Sequence, residues 1–219
     1  MTARPTLLFD LDGTLIDSHP DIFNALNATL KKHGREPVGA AESKQLVGDG
    51  SRKLVERAFE ATGGLVGDLD RLLADFLEIY SACATDKTAP YPGVVGTLDR
   101  LLADGYAMAV CTNKPIKPTL QILDAMDLSR YFKDVAGGDS FAVRKPDPGH
   151  LTGLLDRMGK SSSNAIMIGD SENDILAGQA ANLPTILLTF GYCRVPLESL
   201  SPSHQLDDFR DIPDVLARY

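Results

Sequence analysis

Short apolar runs alternate with longer segments of helical periodicity along most of the chain. The runs that favour strands lie at 6–9, 107–110, 134–136, 165–168 and 185–188. Most are continuously apolar, which is typical of strands that are covered on both faces. Apolar residues recur three and four positions apart in the segments between the later runs, at 94–104, 117–127, 148–158 and 173–181. This strand–helix order predicts an α/β fold, a Rossmann-like doubly wound parallel sheet.

The gap between the first two runs is much longer than the 2 to 6 residues that usually connect such units. Between 17 and 85 no segment has a strand pattern, but four have helical patterns, at 21–33, 42–47, 51–62 and 69–83. Glycine and proline separate them. We therefore predict a core formed by residues 1–16 and 86–219 and a helical cap domain formed by residues 17–85, joined by flexible connections.

Composition and charge exclude several classes of protein. With 219 residues, 43% hydrophobic and 24% charged, the chain is typical of a globular protein. The net charge of −8 and the absence of a basic run argue against nucleic acid as a partner. The apolar runs are far shorter than the roughly 20 residues that span a bilayer, and residues 1–5 do not resemble a secretory signal. We expect no membrane partner and a cytoplasmic location.

The cysteines and histidines do not form a recognisable metal or nucleophile pattern. Cys83, Cys111 and Cys193 are far apart, so buried thiols are expected instead of disulfides or a zinc site. The four histidines include no pair at helical ligand spacing. The candidate chemistry therefore lies among the carboxylates.

Polar residues follow the strand runs, where ligands bind in open parallel sheets. They include Asp10 and Asp12 after the first run, Thr112 and Asn113 after the second, Lys145 before the fourth, and Asp170 and Asp174 after the fourth. Like charges about 4 Å apart cost on the order of 4 kcal/mol at an effective dielectric near 20. A cation is therefore expected among these aspartates, and a set of oxygen ligands favours Mg²⁺.

The same residues fit phosphoryl transfer. Asp10 is placed to attack phosphorus and form an aspartyl phosphate, and Asp12 to act as general acid and base. Thr112, Asn113 and Lys145 are candidates for binding the phosphate oxygens. Asp170 would complete the metal ligands.

Four segments together resemble the four motifs of the haloacid dehalogenase superfamily. They are residues 10–15, the run that ends at Thr112, the Lys145–Pro146 pair, and the carboxylates Asp170 and Asp174. The resemblance implies a helical cap between the first two motifs. It also implies a magnesium-dependent phosphatase in which Asp10 is the nucleophile and Asp12 the acid and base. The metal ligands would be the carboxylates of Asp10 and Asp170 and the carbonyl of Asp12, supported by Asp174. Asp174 alone would equally suit the first turn of a helix.

Within this superfamily, residues 46–51, 91–94, 112–115 and 190–192 are similar to enzymes that hydrolyse 2-phosphoglycolate. This similarity implies a small anionic phosphate ester as the partner of a monomer or homodimer. The turn at Gly48 precedes a helix that begins at Ser51, and its N–H groups, with Arg52 or Lys53, are candidates for binding the substrate carboxylate.

Other activities are compatible with the same core. A β-phosphoglucomutase-like enzyme or another small-metabolite phosphatase would differ mainly in the cap. A phosphonate hydrolase would need a Schiff-base lysine, for which Lys53 is the candidate. A dehalogenase would have no use for Asp12 or Mg²⁺. A catalytically inactive phosphate-binding protein is the non-enzymatic alternative.

Overall fold

The computed structural model describes residues 4–219. The strands are β1 (Thr6–Phe9), β2 (Ile16–Asp17), β3 (Ala89–Pro90), β4 (Met108–Cys111), β5 (Asp134–Ala136), β6 (Ala165–Gly169), β7 (Thr185–Leu188) and β8 (His204–Leu206). The α-helices are α1 (His19–Lys32), α2 (Ala40–Lys44), α3 (Ser51–Ala61), α4 (Leu69–Cys83), α5 (Val94–Ala103), α6 (Ile116–Ala125), α7 (Gly149–Arg157), α8 (Glu172–Ala180) and α9 (Ile212–Leu216). The beginning of the segment 1–5, which we interpreted as lacking a secretory signal, lies outside the described residues.

Six strands form one parallel sheet in the order β5-β4-β1-β6-β7-β8. The central strand β1 pairs with both β4 and β6, so that Leu7 lies beside Met108 and Ile166. The side chains of β1, β4, β6 and β7 are buried on both faces, as their unbroken apolar runs predict. The predicted α/β fold with a doubly wound parallel sheet is confirmed.

Three short strands were not predicted. β8 is a partly exposed edge strand of three residues, so it lacks the apolar run of its neighbours. β2 and β3 form a separate antiparallel pair of two residues each, in which Ile16 lies opposite Pro90 and Asp17 opposite Ala89. Such short segments carry too few side chains for a periodic signal.

Helices α1 to α4 form an insertion between β2 and β3, which we call the helical insertion. α1 packs against α4 and α3 and contributes Leu26 to a core shared with Phe59 and Phe76. At its base, the buried carboxylate of Asp21 accepts hydrogen bonds from the main-chain N–H groups of Lys87 and Thr88 and from the Thr88 hydroxyl. The start of the helical insertion is thereby tied to the chain that returns from it.

Cys83, Cys111 and Cys193 are all free, as expected, but only Cys111 is buried and the other two are half-buried. Within residues 4–219 there is no helix that is both long and apolar enough to cross a membrane.

Candidate active site

Three buried carboxylates lie together at the carboxyl ends of the central strands. Asp10 follows β1, Asp170 follows β6, and Asp174 lies in the first turn of α8. One carboxylate oxygen from each lies within 4.8 Å of the others. The parallel order of β1 and β6 produces this cluster, because both strands end at the same edge of the sheet.

Lys145 lies between two of these carboxylates. Its Nζ is 2.6 Å from Asp174 Oδ1 and donates to the carbonyl of Cys111 at 2.6 Å. It is also 2.9 Å from Asp10 Oδ1, although that oxygen has no aligned hydrogen-bond donor. Burial alone would lower the pKa of Lys145, but Asp10 and Asp174 raise it above its ordinary value. Lys145 is therefore a buried cation directed at the predicted nucleophile.

The carboxylates carry more negative charge than Lys145 offsets. Burial raises the pKa of Asp10 to about 6, with Lys145 opposing the rise and Asp174 adding to it. Burial also raises the pKa of Asp170 well above its ordinary value, with further contributions from Asp174 and Asp10. These shifts mean that the ionised forms of Asp10 and Asp170 are unfavourable here without another cation.

Asp174 has both of its oxygens occupied by protein groups. Oδ1 binds Lys145, and Oδ2 accepts from the main-chain N–H and the hydroxyl of Ser171, which completes a capping box at the start of α8. Gly169 packs so closely that a Cβ there would overlap with this carboxylate. Asp174 therefore lies where it can both stabilise the helix start and hold Lys145 in place.

Asp170 is fixed by two groups that lie in segments carrying the family resemblance but to which the sequence assigned no role. Its Oδ1 accepts from the Thr14 hydroxyl at 2.7 Å and its Oδ2 from the main-chain N–H of Tyr192 at 2.7 Å. A Cβ at Gly13 or at Gly191 would overlap with the same carboxylate. Because Gly13 also has φ of +89°, this turn requires a residue without a side chain.

These residues fit a hard divalent cation. The cluster offers only carboxylate oxygens, the donors that Mg²⁺ prefers. Asp10 Oδ1 is buried without a hydrogen-bond donor, whereas both oxygens of Asp174 are already engaged. Asp10 is therefore the clearest candidate ligand. Both oxygens of Asp170 also accept hydrogen bonds, but from neutral donors, whereas Asp174 is bound to the Lys145 ammonium. Asp170 is therefore the better second ligand, with Asp174 behind it.

Asp12 points to a different set of partners. Its Oδ1 accepts from the Ser18 hydroxyl at 2.5 Å and from Lys114 Nζ at 2.9 Å, and its Oδ2 lies 3.1 Å from the same nitrogen. Lys114 Nζ also donates to the hydroxyl of Tyr80 at 2.8 Å. Lys114 lies in the segment 112–114 that follows β4, but the sequence alone gave no reason to connect it with Asp12 or Tyr80.

Thr112 and Asn113 follow β4 as predicted and lie beside Asp10 and Asp12 around one cavity. The Thr112 hydroxyl accepts from the main-chain N–H of Lys114. The side-chain amide of Asn113 donates to the carbonyls of Lys145 and Gly48, so its Nδ2 is engaged with the main chain.

The opposite wall of this cavity comes from the helical insertion. It is formed by Ile22, Val47, Gly48, Gly50, Ser51, Leu54, Phe76 and Tyr80. Gly50 has φ of +85°, and a Cβ there would lie 2.8 Å from the carbonyl oxygen of Asn113. The loop before α3 therefore lies directly against the turn that follows β4.

Asp49 connects the same loop to α8 and to the segment that follows β7. Its carboxylate binds Arg194, accepts from Asn173 Nδ2 at 2.7 Å and pairs with Arg57 at 2.5 Å. Burial would raise the pKa of Asp49, but the hydrogen bonds from Arg194 and Asn173 hold it well below its ordinary value. No pattern in the sequence identified Asp49 or Arg194 as functional.

Arg52 and Lys53 do not lie where we expected them. Arg52 is half exposed and pairs with Asp70, while Lys53 pairs with Glu56 on its own helix. Neither lines the cavity, whereas the preceding residue, Ser51, does. Successive helix residues point about 100° apart, so the first residue of α3 faces the sheet and the next two face away from it.

Comparison with known proteins identifies a family and several relatives. A family model described as "Haloacid dehalogenase-like hydrolase" matches residues 7–188. The chain is 41% identical over 221 residues to a phosphoglycolate phosphatase of Agrobacterium fabrum, covering 99% of this chain and 95% of that protein. It is 40% identical to a phosphoglycolate phosphatase of Mesorhizobium japonicum, with 94% and 92% covered. A crystal structure from Haemophilus somnus, described as a predicted phosphoglycolate phosphatase, has 32% identity and a TM-score of 0.93 over 98% of this chain and 99% of that one.

Proposed function

Because this chain belongs to the haloacid dehalogenase-like hydrolases, we propose that it is a magnesium-dependent phosphatase that hydrolyses 2-phosphoglycolate to glycolate and phosphate. The observation that carries the proposal is the single cavity at which Asp10, Asp12, Thr112 and Lys114 meet the helical insertion. Relatives about 40% identical over nearly the whole chain are named phosphoglycolate phosphatases, which supports the choice of substrate.

In the first step, a carboxylate oxygen of Asp10 attacks phosphorus. A bond forms between this oxygen and phosphorus, while the bond from phosphorus to the glycolate oxygen breaks. Asp12 donates a proton to that oxygen, so that glycolate leaves as an alcohol. Lys145, 2.9 Å from Asp10, offsets negative charge near the transferring group, and the Thr112 hydroxyl with the main-chain N–H of Asn113 binds its oxygens.

In the second step, water attacks the phosphorus held on Asp10. Asp12, now a carboxylate, takes a proton from the water, and the bond between the Asp10 oxygen and phosphorus breaks. The carboxylate of Asp10 is restored and inorganic phosphate is released. The carboxylates of Asp10 and Asp170 and the carbonyl of Asp12 would hold Mg²⁺, supported by Asp174. When bound, Mg²⁺ would polarise the phosphoryl oxygens and offset the charge of the carboxylates.

The cavity favours a small substrate. Its volume is about 40 Å³, whereas pockets for drug-sized ligands measure about 300–1,000 Å³. The helical insertion contributes the apolar side chains Ile22, Val47, Leu54 and Phe76, which offer no hydrogen bonds to the hydroxyl groups of a sugar phosphate. The start of α3 at Ser51 supplies the positive potential that a short carboxylate needs.

We further propose that residues 17–85 act as a cap that excludes bulk water from the core formed by 1–16 and 86–219. The contacts of Gly48 and Gly50 with Asn113 support this assignment, and the β2–β3 pair lies where a hinge would be needed. A cytoplasmic location and a monomeric or homodimeric state remain predictions.

The test is a panel of phosphate esters assayed with and without Mg²⁺. We expect 2-phosphoglycolate to give the highest kcat/KM, with activity lost on chelation. β-Glucose 1-phosphate is the comparison, because preference for it, or its conversion to glucose 6-phosphate, would favour a phosphoglucomutase-like enzyme. Asp10→Asn should abolish hydrolysis while the protein remains folded. Substantial turnover by that variant would contradict the role of Asp10 as nucleophile.

A further inference from the structure

Tyr80 of α4 extends from the helical insertion into the group of residues around Asp12. The side chain is almost fully buried and stacks on Phe76, with ring centroids 5.7 Å apart and planes within 5°. Its hydroxyl accepts a hydrogen bond from Lys114 Nζ at 2.8 Å, and the same ammonium lies 4.6 Å from the ring centroid. Nζ therefore lies beyond the hydroxyl oxygen and not over the ring face, and the hydrogen bond to the hydroxyl is what holds Lys114 against Tyr80.

Lys114 makes its other contacts with Asp12. Both carboxylate oxygens lie within 3.1 Å of Nζ, and the Lys114 side chain is only 4% exposed. Burial alone would lower the pKa of Lys114, but Asp12 and Tyr80 raise it above its ordinary value, so it is a cation. The order of contacts is Tyr80 hydroxyl, Lys114 ammonium and Asp12 carboxylate.

We propose that Tyr80 is a positioning residue, whose hydroxyl fixes the Lys114 ammonium so that the Asp12 carboxyl is oriented for proton transfer. This inference rests on the proposed function of Asp12 as general acid and base. A buried ammonium needs an acceptor for each N–H, and the Tyr80 hydroxyl provides one that Asp12 does not. Without it, the ammonium can rotate, and the carboxyl group that it holds rotates with it. The Ser18 hydroxyl also holds Asp12 Oδ1, and the contact through Lys114 ties the orientation of Asp12 to the position of α4.

Tyr80 also lines the cavity, so a direct contact with substrate must be distinguished from positioning. A contact with the substrate would appear largely in KM, and a contact with the substrate carboxylate would be missing for acetyl phosphate in any case. Loss of positioning affects the protonation of the leaving group, and its size therefore depends on how much that group needs a proton. The positioning effect of Tyr80 also requires Lys114, because Lys114 lies between the Tyr80 hydroxyl and Asp12.

The experiment uses Tyr80→Phe, which keeps the ring and its stacking on Phe76 and removes only the hydroxyl. Single-turnover rates of phosphoryl transfer are measured with 2-phosphoglycolate, whose alkoxide must be protonated, and with acetyl phosphate, whose acetate leaves without a proton. We expect the rate to fall about tenfold for 2-phosphoglycolate and less than about twofold for acetyl phosphate. KM values should stay within about twofold.

A double-mutant cycle tests whether Tyr80 acts through Lys114. Lys114→Met should slow transfer from 2-phosphoglycolate at least as much as Tyr80→Phe does, and adding Tyr80→Phe to it should have no further effect. Tyr131→Phe is the matched control, because this tyrosine is equally buried but its hydroxyl donates to Asp99 at 2.7 Å, outside the cavity. We expect it to behave as the unmodified protein.

The outcomes separate the inference from the proposed function. A loss that depends on the leaving group and is absent in the Lys114→Met background supports positioning. Equal losses on both substrates, additive losses, or unchanged rates in Tyr80→Phe overturn it and leave the phosphatase activity standing. If the unmodified protein hydrolyses neither ester, the proposed function fails and the role of Tyr80 fails with it. The leaving-group comparison decides the matter even if the Lys114→Met variant does not fold.

Discussion

His150 makes the stability of this protein depend on pH in a way that can be calculated. The side chain is fully buried in α7. Its Nδ1 accepts from the main-chain N–H of Lys145 at 3.2 Å, and its Nε2 is 3.1 Å from the carbonyl of Gly137, to which it donates in the corresponding neutral tautomer. Burial, reinforced by the charge of Lys145, lowers the pKa of His150 from 6.5 to about 4. Protonation of Nδ1 would remove the acceptor for Lys145 N–H and bring two positive charges together.

The sign follows from proton binding. Between pH 6.5 and 4 the unfolded chain binds a proton at this histidine and the folded chain does not, so acid favours unfolding. The contribution to stability is complete above pH 6.5 and is lost as the pH falls towards 4. At 1.36 kcal/mol per pKa unit, the free energy of unfolding should decrease by about 2 kcal/mol between pH 7.5 and 5 because of His150 alone. For a chain of this size this corresponds to a melting temperature about 4–8 °C lower.

The assay compares thermal and urea unfolding of the unmodified protein and His150→Asn at pH 7.5 and 5. Asparagine retains an acceptor for Lys145 N–H but does not titrate. The raised pKa of Asp10 gives the opposite pH dependence, but it is present in both proteins and cancels in the difference. His204→Asn, at a partly exposed position on β8, is the control and should keep the pH dependence of the unmodified protein. If His150→Asn loses as much stability as the unmodified protein between these pH values, His150 does not cause the pH dependence.

Three further predictions concern the site and its surroundings. Asp170→Asn should raise the Mg²⁺ concentration for half-maximal activity at least about tenfold, and an unchanged magnesium titration would exclude it as a ligand. Arg52→Ala should leave KM unchanged because Arg52 lies outside the cavity. Arg194→Ala should raise KM about tenfold because it breaks the largely buried contacts between Arg194 and the loop before α3. Equal effects of the two variants on KM in steady-state assays would contradict this prediction. Gly191→Ala should lower both activity and melting temperature because the added Cβ displaces Asp170. At Gly96 an added Cβ meets no atom within 4 Å, so Gly96→Ala should stabilise α5 by about 1 kcal/mol. Equal melting temperatures for these two variants would show that the turn at Gly191 can adjust.

The parts of the molecule that the sequence predicts best are those specified by local pattern. Continuous apolar runs identified β1, β4, β6 and β7, because burial on both faces leaves a signal in every residue. The position of Asp10 and Asp170 followed from the same signal, since the end of a buried strand in a parallel sheet determines where the next side chains lie. β8, by contrast, is short and partly exposed, and its residues lack a pattern that separates an edge strand from a loop.

The parts that were missed depend on contacts between distant segments. Lys114 was visible in the sequence beside Thr112, but its partner Tyr80 lies on a helix whose position over the sheet no local pattern specifies. Arg52 lies outside the cavity for a related reason: at a helix start, a shift of one residue rotates the side chain by about 100°. The positions of the charged residues Arg52 and Lys53 in the sequence therefore did not determine which side chain of α3 faces the site.

The pairing of Ile16 with Pro90 and of Asp17 with Ala89 places both ends of the helical insertion side by side. A segment with adjacent ends can be replaced by another without altering the framework that carries it. If a different set of helices were grafted at this point, strands β1 and β4 would keep their register. The site residues that follow these strands would keep their positions. The same arrangement makes the boundary a practical place for building chimeras, in which one catalytic framework is combined with substrate-selecting segments from other members of the family.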